Sequence, residues 1–283
     1  MEKNKYYVKI TPHRAWFDLR LGEIRKYKDL IFIFVKRAFT VSYKQTILGP
    51  LWLFISPLFS SVIYTVVFGT IVGLSTDGVP KILFYLVGNA FWGYFSSCLS
   101  GNQSIFVSNA HLFGKVYFPR LVIPIAHVLR SLVRLGIQLL LVSGFLIYYI
   151  VAGDVAPKLA ALPLILPAIL QLALLGMGSG LIISSVTTKY RDLSVLIGFG
   201  LRMWMYATPV IYPLSQIKGN TWLYRLILLN PVTQPLEQLR YGILGVGTIS
   251  LRYSLLSWGI TLVILLLGVL IFNRVERTFI DTV

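Results

Sequence analysis

Residues 51–74 read LWLFISPLFSSVIYTVVFGTIVGL and contain no charged side chain. A helix needs about 20 mostly apolar residues to cross the hydrocarbon core of a bilayer, so this stretch is long enough for one transmembrane helix. Further apolar runs follow it along the chain, at 82–107, 121–151, 159–186, 193–211 and 251–272. The pattern predicts an all-α integral membrane protein with six transmembrane helices.

These runs divide the chain into three parts. Residues 1–50 form a cytoplasmic N-terminal segment, 51–273 the six-helix transmembrane domain, and 274–283 a cytoplasmic tail. Within the first part, apolar residues at 29–48 recur at helical spacing, but three cations interrupt them. This pattern favours an amphipathic helix in the membrane interface; the alternative is that the stretch simply begins the first span.

Residues 212–250 differ from the apolar runs, because Pro213, Pro231 and Pro235 and several polar residues interrupt them. The apolar stretch at 223–229 is too short to cross a bilayer. Irregular backbone at membrane depth is tolerated only where protein or a water-filled cavity covers it. The segment is therefore predicted to form external re-entrant or interfacial helices, broken at Asn230 and Pro231.

Positive charge is concentrated at particular loops. The 283 residues include 26 Lys and Arg against 10 Asp and Glu, a net charge of +16, although only 13% of all residues are charged. Many of the cations precede residue 49, and others lie at 108–120, 187–192 and in the tail. Lys and Arg are enriched in cytoplasmic loops, so both termini are predicted to be cytoplasmic, and no nucleic-acid partner is expected. Lys218, Arg225 and Arg240 in the external segment depart mildly from the rule.

Several catalytic classes lack their motifs. There is no G-x-x-x-x-G-K-[ST] nucleotide loop, so any ATP hydrolysis must come from another chain. Three His and one Cys without ligand spacing make a metal site unlikely. No carboxylate pair suits glycosyl chemistry, and no acid lies in mid-span for a proton relay. A membrane-embedded glycosyl or lipid transferase and a proton-coupled flippase are therefore disfavoured alternatives, and the chain is predicted not to be an enzyme.

Three arginines fall inside the predicted spans and away from the span ends, where a charge is costly and usually faces protein or water. Arg130 and Arg134 are four residues apart on one helical face and suit a phosphate-bearing substrate. The alternative is that both reach the cytoplasmic headgroups by snorkelling. Arg202 lies near the middle of its span, which indicates a pore-facing or hydrogen-bonded role.

Aromatic residues make up 14% of the chain, and several fall inside the spans. Trp92, Trp204 and Tyr206 are candidates for lining a conduit, because aromatic faces stack on sugar rings. Ordinary helix packing and lipid contact is the alternative for each of them.

Four local strings carry a family resemblance: YKQTILGPLW at 43–52, KYRDL at 189–193, ATPVIYP at 207–213 and LNPV at 229–232. Together with the basic N-terminal helix, six spans and a proline-broken external segment, they resemble the membrane subunit of type-2 ABC exporters for O-antigen or teichoic-acid polymers. The resemblance covers essentially the whole chain. A sister type-2 ABC permease for drugs or small lipids is the alternative.

The resemblance implies a homodimer with a central conduit in the bacterial inner membrane, and two partner subunits that bind ATP and magnesium. This chain itself would need no cofactor. The substrate would be a polysaccharide on a polyprenyl-pyrophosphate lipid, whose pyrophosphate Arg130 and Arg134 would suit. Tyr212 would gate the outer end of the conduit. The residues expected to contact the ATPase are Phe113, Lys115, Tyr117, Phe118, Lys189, Tyr190, Arg191 and Asp192.

Overall fold

A computed structural model describes residues 21–44, 46–109, 118–187, 190 and 192–279. Within these ranges all regular structure is helical, which confirms the predicted all-α fold. Helices α1 (Leu21–Lys26) and α2 (Lys28–Tyr43) precede the apolar part of the chain. The helices that follow are α3 (Trp52–Tyr64), α4 (Lys81–Asn102), α5 (Ile105–Ser108), α6 (Val122–Val151), α7 (Ile165–Thr187), α8 (Leu193–Tyr206), α9 (Thr221–Leu229), α10 (Thr233–Leu244) and α11 (Leu251–Phe279).

Five helical stretches of the described chain are long and apolar enough to cross a membrane: Gly49–Ile71, Lys81–Asn102, Val122–Val151, Ala160–Thr187 and Leu251–Val275. The first includes α3, the 3₁₀ turn before it and the π-helical residues Thr65–Ile71 after it. The predicted fifth span is shorter than its apolar sequence, because α8 ends at Tyr206 instead of Ile211. Pro209 disfavours helical geometry at the residue before it, which stops the helix early.

Helix α4 is the central helix of the bundle, and glycines set its contact with α7. Gly176 lies against Cys98, and Gly180, one turn on, lies against Asn102. A Cβ atom at these glycines would approach the facing Cβ atoms to 2.7 and 2.6 Å. The glycines therefore permit close contact between the helix backbones, and since both residue numbers rise together, α4 and α7 run parallel.

Helix α11 packs on the opposite side of α7, also in parallel. Near their first turns, Gln171 Nε2 donates a hydrogen bond to Ser257 Oγ at 2.6 Å. Further along, Gly178 and Gly268 meet backbone to backbone, so neither position leaves space for a side chain. Because α7 and α11 run in the same direction, the chain between them must return to the end of the bundle where α7 begins. Helix α8 lies in that connecting segment.

The remaining long helices run antiparallel to α4. In α3, Ser61 accepts a hydrogen bond from Asn89 Nδ2 at 3.4 Å. In the π-helical residues that follow α3, Gly69 O accepts one from Lys81 Nζ at 2.5 Å. Helix α6 begins beside the end of α4, with His127 against Gly101. Helix α8 also opposes α4, since Trp204 touches Trp92 while Val210, further on, lies over Gly88.

The bundle therefore has two distinct ends. The α2 end contains residues 43, 44 and 46–52, the end of α4, the start of α6, the end of α7 and the start of α8. The α10 end contains residues 72–81, 151–165 and 206–251, including α9 and α10. The chain breaks between α9 and α10 at Asn230 and Pro231, as the sequence predicts.

Candidate functional site

Helix α2 lies along α6 and encloses a cavity of about 300 Å³ at the α2 end. Arg130 Nη2 donates a hydrogen bond to Ser42 Oγ at 2.7 Å and so joins the two helices. Arg37 and His127 provide further polar nitrogens. The lining residues are Phe34, Arg37, Ala38, Val41, Ser42, Ser108, Asn109, Ile123, Ala126, His127 and Arg130.

A second cavity of about 240 Å³ lies on the other side of His127 and Arg130, between α4 and α6. Arg134 lines it, so the two arginines singled out from the sequence share one site. Its lining residues are Phe39, Ser97, Ser100, Gly101, His127, Arg130, Ser131 and Arg134. Among the described residues that line the two cavities there is no Asp or Glu, so the site is cationic and has serine and amide hydrogen-bonding groups around it.

Most residues expected to contact the ATPase lie outside the described residues: Phe113, Lys115, Tyr117, Lys189 and Arg191. Phe118 is buried between α2 and α6, where its ring centroid is 6.1 Å from that of Phe34. Tyr190 and Asp192 are exposed at the same α2 end of the bundle. The described members of this set thus share an end of the molecule, although Phe118 packs inwards.

The aromatic candidates lie towards the α10 end and form two pairs. The Trp204 ring centroid is 6.4 Å from that of Trp92, with the planes close to perpendicular. Tyr212 Oη donates to Tyr206 O at 3.1 Å. Arg202, in contrast, is exposed on α8 and is not part of these contacts.

Asn230, which the sequence marked only as a helix break, connects α8 to α9 and α10. Its Oδ1 accepts hydrogen bonds from Trp204 Nε1 and from the Val232 backbone N–H, both at 3.1 Å. Its Nδ2 donates to Thr208 Oγ1 at 2.8 Å. The side chain therefore fixes the position of the aromatic pairs relative to the external helices.

A buried arginine, Arg240 on α10, was not singled out from the sequence as a site residue. It is 1% exposed; its guanidinium donates to the backbone oxygens of Pro209 and Val210, the latter at 2.6 Å. Its Nη1 is 3.3 Å from Glu237 Oε1, and its Cζ lies 4.0 Å above the Phe84 ring. The sequence signal for this ion pair was the spacing of Glu237 and Arg240, because an acid and a cation three residues apart on a helix are neighbours.

Glu237 extends this network to the loop before α11. Its Oε2 accepts the Thr248 backbone N–H at 2.7 Å. Burial raises the pKa of Glu237, and the neighbouring Arg240 charge and the Thr248 hydrogen bond oppose that rise. The ion pair therefore holds the turn after α8, helix α10 and the loop before α11 together.

Comparison with known proteins agrees with this arrangement. The ABC-2 type transporter family matches residues 29–244, and the chain belongs to that family. This confirms the family resemblance carried by the local sequence strings. The membrane subunit of a type-2 ABC transporter is thus the class of protein that the fold and the match define.

Among curated proteins, two from Klebsiella pneumoniae, each named O-antigen export system permease protein RfbA, are 26% and 25% identical to this chain over 256 residues. Each alignment covers 89% of this chain and 93% of the relative. A Myxococcus xanthus protein of the same name is 28% identical over 212 residues, which are 74% of this chain and 78% of the relative.

Proposed function

We propose that this chain is the transmembrane subunit of an ATP-driven exporter that moves lipid-linked, O-antigen-like polysaccharide across the cytoplasmic membrane of a bacterium. The observation that carries the proposal is the similarity to O-antigen export permeases over most of the chain. ATP hydrolysis belongs to two partner subunits, and this chain contributes the path for the substrate.

The direction of the helices supports six crossings with both termini in the cytoplasm. Helices α7 and α11 run parallel, so α8 returns the chain from the α2 end to the α10 end. At about 1.5 Å per residue, the 14 residues of α8 rise about 21 Å, and the turns on either side supply the remaining height. The positive-inside rule assigns the α2 end to the cytoplasm, where α2 lies in the interface. Helices α9 and α10 then form the external re-entrant segment.

The two cationic cavities at the α2 end are proposed to receive the pyrophosphate of the lipid carrier. Arg130 and Arg134 present guanidinium groups to a space that no acid lines among the described residues, and guanidinium forks match phosphate oxygens. Arg130 lies eight residues into α6, about 12 Å from its start. With the start of α6 at the membrane surface, the proposed site lies just below the headgroups, within reach of a lipid phosphate.

Two copies of the chain are proposed to form the conduit, with the ATPase docked at the α2 end. Lys115 and Arg191 belong to the expected contact with the ATPase. We expect Lys115→Glu or Arg191→Glu to weaken substrate-stimulated ATP hydrolysis without unfolding the protein. Lys158→Glu, which changes an exposed cation at the α10 end, serves as the control. Normal transport in both variants would contradict the assignment of these loops.

The aromatic pairs around Trp204 and Tyr212 are proposed to gate the outer part of the path. Asn230 joins them to the external helices, so a movement of α9 and α10 would also move Trp204. Arg202 is exposed on α8 and is available to the conduit or to the second copy.

Deletion of the gene, with analysis of lipid-linked polysaccharide, tests the proposal. Polymer trapped inside the cell together with loss of surface polymer would support export and identify the substrate class. Normal surface polymer would favour a permease for drugs or small lipids. A polymer that is never assembled would favour the membrane-embedded transferase.

A further inference from the structure

Helix α9, at the α10 end, has two apolar faces, and only one of them is covered. Ile227 and Leu228 are 3% and 2% exposed and pack against Leu214. Trp222 on the opposite side is 71% exposed, and Leu226 and Leu229 are also exposed. At about 100° per residue, these three side chains fall within about 60° of one another, so they form one apolar stripe.

One cation borders this stripe, and two others lie on the segments next to α9. Arg225 lies on α9 at the edge of the stripe, about 40° from Leu229 by the same helical geometry. Lys218 lies in the loop before α9, and Arg252 lies in the first turn of α11, next to Tyr253, which packs under α9. All three side chains are exposed.

The nearby acids do not neutralise these cations. Asp77 accepts a hydrogen bond from Ser215 Oγ at 2.5 Å, and Glu237 is buried beside Arg240. Within the described part of the chain, no ion pair involves Lys218, Arg225 or Arg252. The surface around α9 is therefore both apolar and positively charged.

Helix α9 also lies beside the start of a candidate transmembrane stretch. Helix α9 packs against the first turns of α11, whose own exposed residues Leu251 and Leu255 begin a transmembrane stretch. Tryptophan and arginine side chains favour the zone between acyl chains and headgroups. The stripe therefore belongs to a helix that packs at the beginning of a candidate transmembrane helix, where a membrane boundary is expected.

We propose that α9 is a membrane-surface anchor that binds anionic phospholipid. Trp222, Leu226 and Leu229 enter the acyl boundary, while Lys218, Arg225 and Arg252 bind headgroup phosphates. The choice of the outer leaflet rests on the proposed function and its topology. Lys218, Arg225 and Arg240 on the external side depart from the positive-inside rule. Binding of lipid phosphates explains the first two, and burial in an ion pair with Glu237 explains Arg240.

The position of Trp222 can be measured with the full chain in nanodiscs that contain phosphatidylcholine brominated near the glycerol end of its acyl chains. We expect bromine to quench a component of the tryptophan fluorescence that disappears in Trp222→Phe. The matched control is Trp92→Phe, which removes a buried tryptophan and should leave the quenched component unchanged. Quenching of the Trp222 component by aqueous iodide but not by bromine would overturn the proposal.

Binding of anionic lipid is measured by the association of spin-labelled phosphatidylglycerol and phosphatidylcholine with the full chain. We expect Arg225→Gln to lower the preference for phosphatidylglycerol about two- to fivefold, because each cation near a bilayer adds attraction of this size. Thr221→Ser, at the same exposed edge of α9, is the neutral control. An unchanged preference in Lys218→Gln/Arg225→Gln/Arg252→Gln would overturn the role of the cations.

A second copy of the chain is the competing occupant of the stripe. In a Cys98→Ala background, Leu226→Cys should form no disulfide-linked dimer on oxidation if lipid covers the stripe. A disulfide-linked dimer with Trp222 shielded from bromine would overturn the anchor. None of these measurements depends on transport. A negative result would therefore contradict lipid binding by α9 without affecting the export proposal. If the export proposal were wrong, bromine quenching of Trp222 would still be expected.

Discussion

Arg130 and Arg240 show two ways in which this fold holds an arginine among its helices. Arg240 at the α10 end is buried, bonded to two backbone oxygens, paired with Glu237 and stacked on Phe84. Arg130 at the α2 end is half-buried, and its described side-chain hydrogen bond goes to a serine beside an open cavity. The terminal nitrogens of Arg240 are bonded to protein oxygens, whereas Arg130 keeps hydrogen-bonding capacity towards the cavity. We therefore expect mutations at Arg240 to change stability and mutations at Arg130 to change transport.

The largest effect is expected for Arg240→Met. Removing the cation leaves Glu237 buried without its partner, which typically destabilises a protein by about 3–5 kcal/mol. Thermal unfolding of the purified protein in detergent measures the loss, with exposed Arg202→Met as the control. If Arg240→Met does not accumulate, Glu237→Leu/Arg240→Met should recover folded protein, because a buried ion pair can be replaced by apolar side chains. Unchanged unfolding in Arg240→Met would remove the distinction between the two arginines.

Asn230→Ala is expected to cost about 2 kcal/mol, since it leaves Trp204 Nε1 and the Val232 N–H without their acceptor. Asn230→Asp keeps the accepting oxygen and should lose less. Denaturant or thermal unfolding checks both variants. An equal loss in the two would mean that the Oδ1 contacts do not stabilise the junction of α8 with the external helices.

Arg130→Gln/Arg134→Gln is expected to lower export at least about tenfold, which corresponds to about 1.4 kcal/mol of substrate interaction. Unfolding should change by less than about 1 kcal/mol, because neither side chain belongs to a closed ion pair. Surface polysaccharide in the complemented deletion strain is the readout, and Lys36→Gln, an exposed cation outside both cavity linings, is the control. Normal export would favour the snorkelling alternative.

The smallest effect is expected for Ser42→Ala. It removes the hydroxyl that accepts from Arg130 at an exposed position, a contribution below about 1 kcal/mol. Export should fall by less than about threefold, and stability should hardly change. A larger loss of stability than in Arg130→Gln would indicate that Ser42 holds α2 by another contact.

The long apolar helices were predictable from the sequence because a bilayer requires about 20 apolar residues in a row. The break at Asn230 and Pro231 was also predictable, since proline cannot continue a helix. The end of α8 at Tyr206 was not, because an apolar run extends to Ile211 and Pro209 stops the helix within it. The count of six spans stays a prediction, since α8 is shorter than the other five.

The contacts of the candidate site were harder to predict. The spacing of Arg130 and Arg134 indicated a shared face, but only the fold brings Ser42 on α2 to Arg130, 88 residues away. Arg240 reaches backbone oxygens 30 and 31 residues earlier, and backbone acceptors have no side-chain pattern. The assignments to ATPase contact, pyrophosphate binding and gating stay predictions.

The glycine contacts on both sides of α7 also restrict how this protein can move. Gly176 and Gly180 bring α7 against α4, and Gly178 meets Gly268 of α11 with no room for a methyl group. Sliding α7 along either neighbour would drive side chains of the next turn into backbone, so interdigitated helices of this kind shift together. During a transport cycle α4, α7 and α11 would thus move together as one rigid unit. The rearrangements that open and close a path are then left to α3, α6, α8 and the external helices α9 and α10.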